Sequence, residues 1–371
     1  MSDWRVPRYD YPAQFPDLDT LIPRIGDLLR EGNYILGEPV TRFETDFADF
    51  LGARFAVGLN SGTDALILAM DALGIGPGDE VITVANSFHA TAMSVVRVGA
   101  TPVLVDCDPD THLIDLDAAA AAVTDRTKAL LVVHLFGQAV NMRAARALAD
   151  RHDLLLIEDC AQAVGAYSGD RRVGSDSDAG CWSFAPSKNL AAAGDAGAVS
   201  LRAEETTQRL RLLRHFGQVA QNEHHVLGYN SRLDTMQALV LAHKLPHVDA
   251  WSRRRVAIAE AYRARLGSLP IRFQAGAGDR EHVYHLFQVQ TPLRDDLLAH
   301  LRADGTDAVV RYPVPMHLQP AFADLKLAAG ELPVVERLAR ETLCLPLFPS
   351  MTDAQIDHVC TGVERFFAGS R

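Results

Sequence analysis

Ala129-Leu130-Leu131-Val132-Val133, an amphipathic pattern over 142–152, and then Leu154-Leu155-Leu156-Ile157 decide the fold of this chain. Two short, continuous apolar runs separated by one helical period read as buried strands joined by a covering helix. A strand that is apolar on both faces belongs inside a sheet flanked by helices, which is the habit of parallel sheets. The same alternation recurs outward from this unit. Upstream lie strand patterns at 55–59, 80–84 and 102–105, separated by helical patterns at 60–72, after Asn86 and at 116–123. Downstream comes a strand pattern at 198–201 and a helix running to about His215. The predicted fold class is α/β, a doubly wound, mostly parallel sheet.

The flanks read differently. Amphipathic patterns at 18–29 and 40–51, with Gly37 and Pro39 between them, suit an amino-terminal helical arm over 1–51. The sheet-bearing part then covers 52–247. A helical stretch from 235 to about 266, broken near Pro246, carries the chain into a smaller α+β part over 248–371, with strand patterns at 286–290 and 308–311 and helical ones at 295–304, 334–343 and 353–367. A length of 371 residues suits such a division, because one core rarely grows past about 250–300 residues.

Composition narrows the function classes. A formal net charge of −11 argues against nucleic acid, which needs a clustered basic face. The triplet Arg253-Arg254-Arg255 sits in a helical pattern and reads as a solvated face. Cys107, Cys160, Cys181, Cys344 and Cys360 are odd in number and never in a CxxC spacing, as in a reduced intracellular protein. The amino terminus from Met1 to Asp10 lacks a basic-then-apolar signal, and no apolar run approaches the ~20 residues that span a bilayer, so a cytoplasmic protein without a membrane partner is expected. Close histidine pairs occur at His224-His225 and at His282 with His285. Neither fits a metal motif, and no metal is expected. Gly74-Ile75-Gly76-Pro77-Gly78 follows a helix and precedes a strand, so it is a turn and not a dinucleotide loop.

In open α/β sheets ligands bind beyond the carboxyl ends of the strands. Four features fall there. Ser61-Gly62-Thr63 opens a helix directly after a strand, where free N–H groups favour an anion. Phe88 follows the strand at 80–84. Asp159 follows Leu154–Ile157, and an acid at that edge is what a pyridine nitrogen needs to stay protonated. Lys188 ends the run Cys181-Trp182-Ser183-Phe184-Ala185-Pro186-Ser187. A buried ammonium is unfavourable, and condensation with an aldehyde removes the charge.

The order Ser61-Gly62-Thr63, Phe88, Asp159, Lys188 resembles the fold type I pyridoxal phosphate (PLP) enzymes, with an aspartate-aminotransferase-like fold. More closely, the chain resembles the DegT family of nucleotide-sugar aminotransferases. The likeness runs through Asn60-Ser61-Gly62-Thr63-Asp64-Ala65-Leu66, His134-Leu135-Phe136-Gly137-Gln138, Glu158-Asp159-Cys160-Ala161-Gln162, Ser183–Leu190, Asn230-Ser231-Arg232-Leu233-Asp234 and Tyr312-Pro313-Val314-Pro315-Met316-His317. The resemblance implies that Lys188 holds PLP as a Schiff base and moves the substrate proton, and that Asp159 pairs with the pyridine nitrogen. Gln162 would lie near the ring hydroxyl and Phe88 would stack on the ring. Gly62, Thr63 and Ser183 would hold the phosphate, joined by Asn230 from a neighbouring subunit of a homodimer. Tyr312 and His317 would form the sugar-side wall. L-glutamate is the implied amino donor, and a keto sugar on a nucleoside diphosphate, with dTDP expected, the acceptor.

Arg311 departs from the family pattern, which often has histidine there; a fixed positive charge near the sugar would favour an anionic group on the substrate. A PLP-dependent sugar dehydratase would carry histidine where Lys188 stands. A keto-cyclitol acceptor is a rival within the same chemistry, and a non-catalytic regulator on the same scaffold would show a degraded pocket.

Overall fold

A computed structural model of the chain describes residues 4–276 and 282–369, so Met1 to Asp3 of the amino-terminal pattern lie outside the described residues. Seven strands form the central sheet in the order Phe55–Leu59, Gly197–Leu201, Ala179–Ser183, Leu155–Asp159, Thr127–Val133, Glu80–Val84, Thr101–Val105. Gly197–Leu201 runs antiparallel to both neighbours, and the remaining pairings are parallel. The expected mostly parallel, doubly wound sheet is the one observed.

Strand side chains alternate between two helical layers, as the period of two requires. Leu130 and Val132 join one core with Ala145 and Leu148 of the helix Met142–Arg151. Ala129 and Leu131, on the other face, pack with Leu66, Leu68 and Met70 of the helix Gly62–Ala72. The sheet is therefore buried on both sides, which explains its near-continuous apolar strands.

The helix Glu38–Leu51, which precedes the first sheet strand, buttresses the lysine-bearing strand end. Its Phe47 meets Trp182 and Phe184 edge-on, each with ring centroids 5.3 Å apart. Edge-to-face pairs of this kind add roughly 0.5–1.5 kcal/mol beyond the area they bury. The Trp182 indole N–H also donates to Ser200 Oγ at 2.9 Å.

The smaller α+β part carries its own antiparallel sheet, Arg272–Phe273, Phe287–Gln290 and Thr342–Leu345. Two local expectations are corrected here. The strand expected at 308–311 is reduced to a single bridge between Val309 and Cys344. Its place is taken by Thr342–Leu345, which reads in sequence as the end of a helix, because a short apolar run is ambiguous until a partner strand claims it. Arg255 is the second correction. The 19-residue helix Val248–Leu266 buries it, and its guanidinium donates to the carbonyls of Tyr284 and Leu347, both at 3.0 Å.

All five cysteines are buried and unpaired. Among the described residues no helix is long and apolar enough to cross a membrane.

Candidate active site

The carboxyl ends of the sheet strands surround a cavity of about 280 Å³. Gly62, Thr63 and Ser183 line one end of its wall, and Asp159, Gln162 and Lys188 line it with Phe88 and Tyr312. Residues more than two hundred positions apart thus meet at one edge of one sheet.

The helix Gly62–Ala72 begins at the cavity, capped by Ser61, whose hydroxyl accepts the Asp64 N–H at 3.1 Å. First-turn amides have no partner inside their own helix, so they offer donors and the positive end of the dipole to an anion. Gly62 permits this approach. A Cβ on it would stand 2.5 Å from Ser183 Cβ, so any side chain would push the helix start away from the strand end.

Asp159 ends its strand almost fully buried. Thr91 Oγ1 donates to its Oδ2 at 2.8 Å, the Ala161 N–H donates to its Oδ1 at 3.2 Å, and Ser87 Oγ lies 2.8 Å from Thr91 Oγ1. Burial raises its proton affinity above the ordinary carboxylate value, opposed by the two hydrogen bonds and by the charge of Lys188. The pair Glu158 and His134 supports the same strand end from within. His134 Nδ1 accepts the Val140 N–H at 3.0 Å, which leaves Nε2–H to donate to Glu158 Oε2 at 2.8 Å. Glu158 Oε2 also accepts the Gly174 N–H at 2.8 Å. The cluster of His134, Glu158 and Cys160 thus has its imidazole lone pair already committed.

Lys188 is half-buried at the cavity wall, and burial lowers it to about 8, with Arg311 adding to the depression and Asp159 opposing it. A lysine in that range is partly neutral near pH 8 and able to attack an aldehyde. Phe88 leaves 44% of its surface exposed, unusual for an aromatic ring beside a core, and stands 5.7 Å from the ring of Tyr312. Gln162 fixes the tyrosine: its Oε1 accepts the Phe136 N–H at 2.7 Å and its Nε2 donates to Tyr312 Oη at 3.2 Å. Burial pushes the Tyr312 phenol well up, so it is a neutral donor at physiological pH.

Two predicted site residues lie elsewhere. Asn230 is exposed outside this cavity, where its carbonyl accepts from Asn60 Nδ2 at 3.4 Å. His317 is not among the residues that line the cavity: it is buried on the short turn Met316–Leu318, with Nε2 3.2 Å from Glu336 Oε1. Conversely, Tyr9, Thr91 and His285 were not anticipated. Tyr9 and His285 line the cavity, and Thr91 stands behind it on Asp159. Thr91 carries a weak signal, since it sits one turn after Ser87 at the head of a helix, but nothing separates it from an ordinary cap.

The donor set fits PLP. An open-faced aromatic ring suits the flat pyridine, and a buried acid suits its nitrogen. A helix start cleared by Gly62 suits its phosphate, and a lysine of lowered proton affinity suits its aldehyde. This fold and this set of residues define a PLP-dependent enzyme.

Comparison with known proteins places it further. The chain belongs to the DegT/DnrJ/EryC1/StrS aminotransferase family, whose pattern matches residues 18–364. It is 44% identical to the dTDP-3-amino-3,4,6-trideoxy-alpha-D-glucose transaminase of Streptomyces venezuelae, over 98% of this chain and 96% of the relative. It is 42% identical to a UDP-N-acetyl-3-dehydro-alpha-D-glucosamine 3-aminotransferase of Acidithiobacillus ferrooxidans, over 98% of each. A protein of Geobacillus stearothermophilus named as a pleiotropic regulatory protein is 43% identical over 98% of each. The structure superposes on that of S. venezuelae DesV in complex with a ketimine intermediate, with TM-score 0.95, 44% identity and 98% of both chains covered. It also superposes on a Bacillus subtilis protein with bound cofactor PMP, the amino form of PLP, with TM-score 0.92, 30% identity, 99% of this chain and 86% of that one. The chain is a PLP-dependent aminotransferase.

Proposed function

We propose that this aminotransferase moves an amino group from L-glutamate to the keto group of a nucleotide-linked deoxysugar, with dTDP as the carrier. The observation that carries this reading is the meeting of Lys188, Asp159 and the helix start at Gly62 in one cavity, in a chain 44% identical to a dTDP-sugar transaminase. The regulatory name of the Geobacillus relative does not displace it, because a scaffold kept only for regulation has no need of a lysine, an acid and an open aromatic face around one cavity.

When bound, PLP supplies an electron sink for the carbanion formed at the substrate carbon. Each residue then has a task. Lys188 Nζ would hold the cofactor's aldehyde group and is the base placed to carry a proton to and from the substrate carbon. Asp159, held by Thr91 and Ala161, keeps a proton on the pyridine nitrogen. The first-turn amides at Gly62 and Thr63, with the Ser183 hydroxyl, grip the phosphate. Phe88 covers one face of the ring and excludes water. Tyr312, oriented by Gln162, faces the acceptor sugar. His317 has no part in this reading. Asn230 completes the phosphate site of the partner copy in a homodimer, which is consistent with its exposure outside its own cavity.

An absorption spectrum tests the reading. The purified holoenzyme should lose its visible band with L-glutamate and regain it with a dTDP-linked keto sugar. Recovery with only a UDP-linked sugar or a keto-cyclitol would replace the acceptor, and no loss with glutamate would replace the donor. Mixing two inactive chains, Lys188→Ala and Asn230→Ala, should restore activity through hybrid dimers; no recovery would remove the shared site.

A further inference from the structure

Of the charged wall residues that the assigned roles leave unanswered, Asp195 is exposed and Arg311 is the cation. It lines the cavity beside Lys188 and His285. Its backbone carbonyl accepts Gln288 Nε2 at 3.1 Å, while its guanidinium stands 6.0 Å from the centre of the Tyr312 ring. Among the described residues no carboxylate pairs with that guanidinium. The lining acids are Asp159, whose oxygens are taken by Thr91 and Ala161, and Asp195, which is exposed. His285 adds no charge, because burial holds it neutral. A guanidinium that lines the cavity with no carboxylate paired to it among the described residues is a ready fork for a planar anion.

We propose that Arg311 is the receptor for the carboxylate of a 2-amino acid donor. The inference rests on the donor class named above. Position favours a carboxylate over a diphosphate. Arg311 lines the same cavity as Lys188 and its charge acts on the lysine, so an anion seated on it lies near the reacting carbon. In a 2-amino acid the carboxylate is one bond from that carbon. In a nucleotide sugar the diphosphate lies beyond the sugar ring and belongs outside. The same guanidinium contributes to the lowered proton affinity of Lys188, so a carboxylate seated on it relieves that repulsion as Lys188 takes up the α-proton.

The test titrates holoenzyme with 2-methyl-L-glutamate, which binds without losing an α-proton, and with its α-amide, which lacks the charge; absorption reads both. The wild-type protein should favour the acid, and Arg311→Gln should weaken the acid on the order of ten- to a hundred-fold while bringing the ratio of acid to amide affinity toward one. Arg311→Lys should restore part of the preference. A wild-type protein that shows no preference for the acid, or an Arg311→Gln protein that keeps it, overturns the proposal. A folding defect weakens both ligands together and leaves the ratio unmoved, so the ratio isolates the carboxylate contact. If L-glutamate fails to convert wild-type enzyme but another 2-amino acid succeeds, the donor named above falls, and Arg311 is tested on the 2-methyl derivative of that acid. Failure of every 2-amino acid overturns both.

Discussion

Lys188 and Lys244 are both lysines that burial lowers to about 8, yet they do opposite things. Lys244 is 1% exposed, and its Nζ is spent on structure. It donates to the Ala191 carbonyl at 2.6 Å and to Gln14 Oε1 at 3.4 Å, and it lies 4.6 Å from the centre of the Phe15 ring. It ties the amino-terminal segment to the loop that follows Lys188. Lys188 instead opens into a cavity, with Asp159 and Arg311 as its charged neighbours. A depressed proton affinity therefore does not mark a reactive lysine by itself; unspent donors and room for an aldehyde do.

Five experiments would break or sharpen that contrast. Lys188→Ala should cost the largest effect, roughly 10²- to 10⁴-fold or more in transamination, because it removes both the covalent anchor and the proton carrier. Turnover and circular dichroism together check it, and a folded variant with most of its turnover would sink the assignment. Lys244→Ala should leave the cofactor's visible band in place while lowering stability by about 2–4 kcal/mol, through a cavity and an orphaned Ala191 carbonyl. Thermal melts of the two variants compare them directly. Loss of the band with unchanged melting in Lys244→Ala would reverse the two roles.

Thr91→Val removes the hydroxyl that donates to Asp159 Oδ2, a contact to a charged group, and should weaken cofactor retention on the order of tenfold or more. Fluorescence titration of PLP into stripped protein measures it, and unchanged affinity would show that the Ala161 amide alone suffices. The smallest effect is the pH dependence. The neutral amine attacks the aldehyde, and Lys188 is lowered to about 8. Capture of PLP by stripped protein should accelerate as pH rises toward about 8 and then level off. A rate still climbing steeply beyond pH 9 would mean a lysine near its ordinary value. Borohydride trapping should label Lys188 and not Lys244 at every pH.

The alternation of apolar strands and amphipathic helices was legible because a strand covered on both faces has to be apolar along its whole length, as Leu130 to Val133 are. Most of the candidate site was legible too, since its parts sit where strands end, and strand ends are visible in a sequence. The resemblance to a family tied those parts together. The misses share a cause. A strand at 342–345 is decided by Phe287–Gln290, which lies more than fifty residues earlier. Arg255 reads as one of three surface arginines until the carbonyls of Tyr284 and Leu347 are brought to it. His317 stands in a motif with Tyr312, five residues away, but Glu336 claims one and Gln162 the other.

The sequence by itself determined the layered α/β architecture, the family, the cofactor and the order of lysine, acid and phosphate-binding helix. The architecture and the order depend on periodicity and on spacing along the chain, both of them local, while the family and the cofactor rest on the resemblance that the motifs carry. Only the tertiary structure decided which lysine is free, what holds Asp159, that Tyr9 from near the amino terminus lines the cavity, and that among the described residues no carboxylate pairs with Arg311. Those facts concern pairs of groups tens to hundreds of residues apart, and a hydrogen bond or an unpaired charge exists only once folding has set the distance between them.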